Sequence, residues 1–189
     1  PMTWLGVPWF ASLAIALFSL TFITLWGAVL VGIWATVFHK LNNWKKNPKN
    51  SLISSLVRVL IGTALWCGLE AFWAMGSLWW TSLSYTQSPH NLAILQLSQF
   101  SGPSTVTAAI VAVNGLLAEA WLTIEKEKKW GLFGGAIALC LLLHLIGFSL
   151  YNRPLETDAS SAIKVGIIQG NIPNDIKLRT EGWRKAIAN

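Results

Sequence analysis

The sequence predicts an all-α polytopic membrane bundle of about four transmembrane helices, followed by the first strand and helix of an α/β domain that is cut short. Three observations predict this fold class. The 189 residues are 53% hydrophobic and only 12% charged, where an ordinary soluble domain carries about 25% charge. Twelve of them are Trp, the side chain that favours a membrane–water interface because its ring is apolar and its N–H polar. Apolar runs long enough to cross a bilayer alternate with short basic clusters. The mean hydropathy of +0.51 agrees.

The first crossing is the uncharged run 9–38. A crossing needs roughly twenty residues, so this one is long or tilted, with an interfacial lead-in from Trp4 to Trp9. Gly27 and Gly32 permit close helix packing there. Residues 39–50 form a polar loop holding Lys40, Lys45, Lys46 and Lys49. The second crossing is 52–76. Arg58 lies near its start, placed to snorkel toward the loop, and Glu70 lies in its second half.

Residues 77–103 contain no Lys, Arg, Asp or Glu. The segment is too polar for a clean span and too apolar for a solvated loop. Trp79, Trp80 and Tyr85 suit the headgroup level, and Leu92, Leu95 and Phe100 are placed to anchor a short interfacial helix. The third crossing, 104–123, holds Asn114 and Glu119. A charged turn, EKEKK at 125–129, leads to the fourth and most apolar crossing, 130–150.

Four crossings put the loops 39–50 and 123–130 on one side, with seven of the fourteen Lys and Arg. The segment 77–103 falls on the other side with none. Cytoplasmic loops carry the excess of Lys and Arg. The Lys-rich loops are therefore expected inside, and 77–103 and the C-terminal tail outside. Net charge is +6, but its clustering between apolar runs argues against a nucleic-acid face. Cys67 and Cys140 lie in apolar runs without C-x-x-C spacing, as buried thiols do. His39, His90 and His144 are scattered. No metal and no cofactor are expected. There is no visible signal peptide, and Pro1 before Met2 suggests a chain that begins within a longer protein.

Residues 151–162 read as a polar linker. Ile163 to Gln169 reads as a strand buried on both faces, followed by a turn at 170–173 and a helix opening after Asn174. About 27 residues cannot bury a core alone, so 163–189 is expected to be the first unit of a larger α/β domain.

Two stretches carry a resemblance. One runs from Glu70 to Gln87, with the aromatic WWTSLSYTQSP that begins at Trp79, and the other is VGIIQGNIPND at 165–175. Both resemble the bacterial apolipoprotein N-acyltransferase family, in which membrane helices precede an extracytoplasmic carbon–nitrogen hydrolase (nitrilase-like) domain. The resemblance implies a bacterial cytoplasmic (inner) membrane location and a two-step transfer. A Cys thiolate takes a fatty acyl group from a membrane phospholipid. The amine of a diacylglyceryl-cysteine at the N-terminus of an apolipoprotein then receives it. The family's Glu, Lys and Cys lie downstream of QGNIP, beyond Asn189, so no catalytic residue is assigned in this chain and it is expected to be inactive alone. Glu181 falls too early to serve as the base, and Cys67 and Cys140 cannot replace the nucleophile.

Within that resemblance, Glu70, Trp79, Trp80, Tyr85 and Gln87 are the candidate substrate-binding residues. An ionisable group in a crossing is costly and often functional, though a helix–helix hydrogen bond or exposure at the outer interface also explains Glu70. The aromatic residues fit either an interfacial belt or a contact with acyl chains and headgroups at the substrate entrance. Glu119 is expected at the inner interface beside Glu125. A small polytopic transporter or a membrane-anchor subunit is the alternative class. It expects an internal repeat, which the two helix pairs do not display, and gives QGNIP no role.

Overall fold

Lipid offers no hydrogen bonds to a peptide group, so a chain this apolar satisfies its backbone within helices. The computed structural model describes residues 6–44, 52–76 and 81–153, with single positions at 166 and 184. Its helices are α1 (Trp9–Trp44), α2 (Leu52–Ala74), α3 (Leu92–Leu95), α4 (Ser98–Ser101), α5 (Pro103–Leu122) and α6 (Lys126–Tyr151), with a 3-10 helix at Leu83–Gln87. Four of them, α1, α2, α5 and α6, are long and apolar enough to cross a membrane. No strand occurs among the described residues. The predicted strand and helix of 163–189, and the linker from Pro154, lie outside them except for Gly166 and Arg184.

The chain divides into two units, Trp26–Pro154 and Pro1–Leu25 with Leu155–Asn189. In the latter the described residues are 6–25, most of them in the first half of α1, with Gly166 and Arg184. There Thr24 Oγ1 donates to Leu20 O at 2.8 Å, so its hydroxyl needs no water. Leu, Phe and Ile side chains cover this stretch and stay exposed, as a lipid-facing surface does.

In the unit Trp26–Pro154, α1 meets α2 through aromatic rings. Trp26 packs on Trp73 with centroids 4.9 Å apart. Trp34 stacks on Phe38 at 5.2 Å and its Nε1–H donates to Gly62 O at 2.9 Å. Gly62 permits that approach, since a Cβ there would lie 3.3 Å from Phe38. These pairs run α1 antiparallel to α2. The predicted loop 39–50 is in part helix, because α1 continues to Trp44. No Gly or Pro intervenes before Pro48, so the helix outlasts its apolar run. Likewise EKEKK is mostly not a turn. Lys126 to Lys129 form the first turn of α6, and only Thr123 to Glu125 connect α5 to it.

Between α2, α5 and α6 the packing is close and partly polar. Val59, Leu116, Ala120, Leu132 and Ala136 form one apolar cluster. Gly115 sits against Val59, where an added Cβ would be 3.1 Å from Cγ1. Helices in lipid gain little from hydrophobicity alone and associate through small residues and hydrogen bonds. Consistent with that, Ser55, Thr63, Glu70 and Thr107 are buried on α2 and α5.

Residues 81–102 fold back over the end of α5 and α6 as short helices. Gly102, at φ 65°, closes α4 by donating to Ser98 O at 2.7 Å, and Pro103 starts α5 with its φ already set. Leu92 and Phe100 are exposed, open to a membrane surface, while Ile94 and Leu97 are buried and pack with Val106 and Ala109. In α3, Ala93 rests its carbonyl directly on Gly147 of α6, where any Cβ would collide with backbone. The segment 81–102 thus lies at one end of α2, α5 and α6. Lys126, Lys128 and Lys129 lie at the opposite end.

Candidate functional site

Glu70 organises the end of the bundle that carries the segment 81–102. It is 7% exposed, and a buried carboxylate is tolerable only when its lone pairs are filled. Four donors fill them. Oε1 accepts from Ser82 Oγ at 2.6 Å and from Thr107 Oγ1 at 2.9 Å. Oε2 accepts from the Leu83 backbone N–H at 2.9 Å and from Trp66 Nε1 at 3.3 Å. Ser82 Oγ also accepts from Ser84 N at 3.2 Å, capping the 3-10 helix. One side chain therefore ties α2 to α5 and fixes the start of Leu83–Gln87.

That 3-10 helix delivers Tyr85 and Gln87. Tyr85 is half exposed. Gln87 enters a cleft of about 180 Å³ between α3, α5 and α6, shared with Asn91, Asn114, Cys140 and His144. Gln87 Oε1 accepts from Asn91 Nδ2 at 3.0 Å. His144 Nδ1–H donates to Cys140 O at 2.8 Å, which leaves Nε2 to accept from Asn91 Nδ2 at 3.3 Å. Asn91 Oδ1 accepts from Ile94 N at 3.4 Å and so caps α3. Asn114 Nδ2 donates back to Ile110 O at 2.8 Å, and its Oδ1 faces no donor among the described residues. The cleft offers amide and imidazole groups in otherwise apolar walls, a combination suited to a ligand with ester or amide polarity and a hydrocarbon part.

Cys140 Sγ lies 3.7 Å from His144 Nδ1. A Cys–His nucleophile needs that nitrogen as a base, but its proton is committed to the Cys140 carbonyl. The pair is not arranged for catalysis. Cys67 Sγ meets Ser104 O at 3.8 Å, a weak contact of a helix-packing thiol.

A second polar contact joins α2 to α5 nearer the lysine end. Arg58 Nε donates to Glu119 Oε1 at 2.8 Å, Arg58 Nη2 pairs with Glu119 Oε2, and Nη2 also donates to Ser55 Oγ at 3.0 Å. Arg58 does not snorkel to the loop, and Glu119 is held within the helix pair. A fork-on-carboxylate contact is stronger than a solvated charge at this depth.

Of the sequence-predicted site residues, Glu70, Tyr85 and Gln87 are joined through one short segment. Trp79 and Trp80 lie outside the described residues. Sequence reasoning missed Ser82, Thr107, Asn91, Asn114 and His144 as members of the site. Asn91 carried a legible signal, as an N-cap residue after Pro89. Cys140 and His144 carried another, their i,i+4 spacing on one helix face.

The description "Apolipoprotein N-acyltransferase N-terminal domain" matches residues 2–116. The chain belongs to the apolipoprotein N-acyltransferase family. It is 52% identical over 191 residues to the apolipoprotein N-acyltransferase of Nostoc sp. (strain PCC 7120), covering 99% of this chain and 36% of that protein. It is 46% identical to that of Synechocystis sp. (strain PCC 6803), covering all of this chain and 38% of the relative. The apolipoprotein N-acyltransferase of Methylococcus capsulatus is 29% identical over 68% of this chain. The chain thus spans little more than a third of the length of its cyanobacterial relatives. No solved structure matches it. For a family member, the four apolar helices make the chain a multi-pass membrane protein.

Proposed function

We propose that these 189 residues are the membrane portion of an enzyme that moves a fatty acyl group from a phospholipid to the N-terminal amine of a diacylglyceryl apolipoprotein. A Cys thiolate attacks the phospholipid ester carbonyl and the lysophospholipid leaves, taking a proton. The acceptor amine then attacks the thioester, forming the amide and releasing the thiol. The observation that carries this reading is the similarity to named apolipoprotein N-acyltransferases along the whole chain. The nucleophile and its partners are assigned to parts of the enzyme outside these residues, and the chain alone is inactive.

In this reading residues 9–38, 52–76, 104–123 and 130–150 cross the bacterial inner membrane, and 77–103 lies at its outer surface. Residues 151–162 link to a nitrilase-like domain that opens at 163–189. The Lys-rich loops face the cytoplasm. Glu70 positions the segment holding Tyr85 and Gln87, Trp79 and Trp80 contact the lipid substrates with them, and the cleft beyond Gln87 admits an acyl chain and its ester from the side. The full-length enzyme in phospholipid vesicles tests it with a diacylglyceryl peptide acceptor. Acylated peptide is expected, and Gln87→Ala is expected to raise KM for the lipid substrates about fivefold, the worth of one hydrogen bond. An enzyme that acylates no such peptide overturns the function; an unchanged KM removes Gln87 from the entrance.

A further inference from the structure

We propose that the groove between the end of α5 and the start of α6 binds one anionic phospholipid, at the end of the bundle opposite the acyl-entry cleft. Leu117, Ala120, Trp121, Lys129, Trp130 and Phe133 line a space of about 240 Å³. An apolar cavity of about 150 Å³ already holds benzene, so the groove has room for the upper part of an acyl chain.

Its chemistry specifies the occupant. The polar atoms of the lining side chains are one ammonium and two indole N–H groups, donors without an acceptor. Trp121 and Trp130 are 83% and 60% exposed, which places large amphipathic rings beside the groove. Lys129 pairs with no acidic group among the described residues. The matching ligand is rich in acceptors, negatively charged, and apolar at one end. A phosphodiester with a glycerol ester and an acyl chain meets all three requirements.

Charge in the surrounding turn points the same way. Lys126, Lys128 and Lys129 stand against Glu127 in the first turn of α6, with Glu125 before it. Cations are disfavoured at the positive end of a helix, and this turn carries an excess of them. A lipid phosphate at Lys129 offsets that excess. Arg58 holds Glu119 on the other side of α5, and Glu119 also interacts with Lys128, so Lys129 is the lysine of this turn that the groove receives.

The experiment uses the full-length protein in detergent, titrated with phosphatidylglycerol or phosphatidylcholine of identical acyl chains and read by native mass spectrometry. One phosphatidylglycerol is expected to bind more tightly than phosphatidylcholine. Lys129→Gln is expected to weaken it about fivefold, the worth of one lysine at an anionic surface, while leaving phosphatidylcholine unchanged. Lys40→Gln, an exposed lysine outside the groove, supplies the control and is expected to change nothing. Equal binding of the two lipids overturns the proposal, and so does equal loss in both variants, which marks diffuse surface attraction. The readout is independent of acyl transfer, so it stands or falls separately from the proposed function.

Discussion

A carboxylate that accepts from two hydroxyls, a backbone amide and an indole has no capacity to spare. Glu70 is that group, and its partners come from α2, α5 and the segment between them. Replacing it with Ala strands four donors in a low-dielectric layer. Hydrogen bonds between membrane helices average about 0.6 kcal/mol each, so Glu70→Ala is expected to destabilise the protein by roughly 2 kcal/mol. Glu70→Gln keeps the shape but turns one acceptor into a donor, and is expected to lose about half as much. Thermal unfolding of the full-length enzyme in detergent checks both. Equal stability of all three proteins removes Glu70 from the role of anchor. Glu70 stood out in the sequence because lipid makes an ionisable residue conspicuous. Its partners did not. Ser82 and Thr107 are ordinary residues 12 and 37 positions away, and nothing in a linear pattern announces that three segments meet.

At the scale of elements, carboxylates join α2 and α5 at two points, beside the weaker Cys67–Ser104 contact. Arg58 holds Glu119, and Glu70 holds Thr107. Each pair of positions is twelve residues apart on its own helix, about 18 Å at 1.5 Å per residue. Equal spacing on antiparallel helices fixes their register, and a slide by one turn breaks both contacts together. Removing one partner of the ion pair leaves an uncompensated charge, whereas removing both leaves none. Arg58→Met alone and Glu119→Leu alone are each expected to cost about 3 kcal/mol, and the double variant is expected to recover most of it. Additive losses in a thermal-unfolding cycle argue against this register device. Helix existence was legible here because a crossing must be long, apolar and nearly free of charge. Helix ends were not. His39 to Trp44 and Lys126 to Lys129 are helical although polar, since a helix stops at backbone signals and not where lipid ends. In α3 and α4 the face that packs on the bundle was not legible. Leu92, Ile94, Leu97 and Phe100 are all apolar, and only the packing on Val106 and Ala109 decides between them.

For the whole molecule, the proposed orientation rests on the distribution of charge. Lys126, Lys128 and Lys129 share one end, and the uncharged segment 81–102 occupies the other. With the basic end inside, Cys introduced at Ser88 in a cysteine-free full-length enzyme is expected to react with an impermeant maleimide in intact cells. Cys at Asn47 is expected to react only after the membrane is opened. Labelling of both from the same side overturns the arrangement.

The seat of α3 on α6 bears on how the cleft admits anything larger than itself. Ala93 and Gly147 meet main chain to main chain, and main chain has no rotamers to exchange. The spacing of α3 and α6 is therefore fixed at that point, and a larger guest is accommodated by side chains on the cleft walls, such as Gln87, Leu143 and Ile110, turning aside.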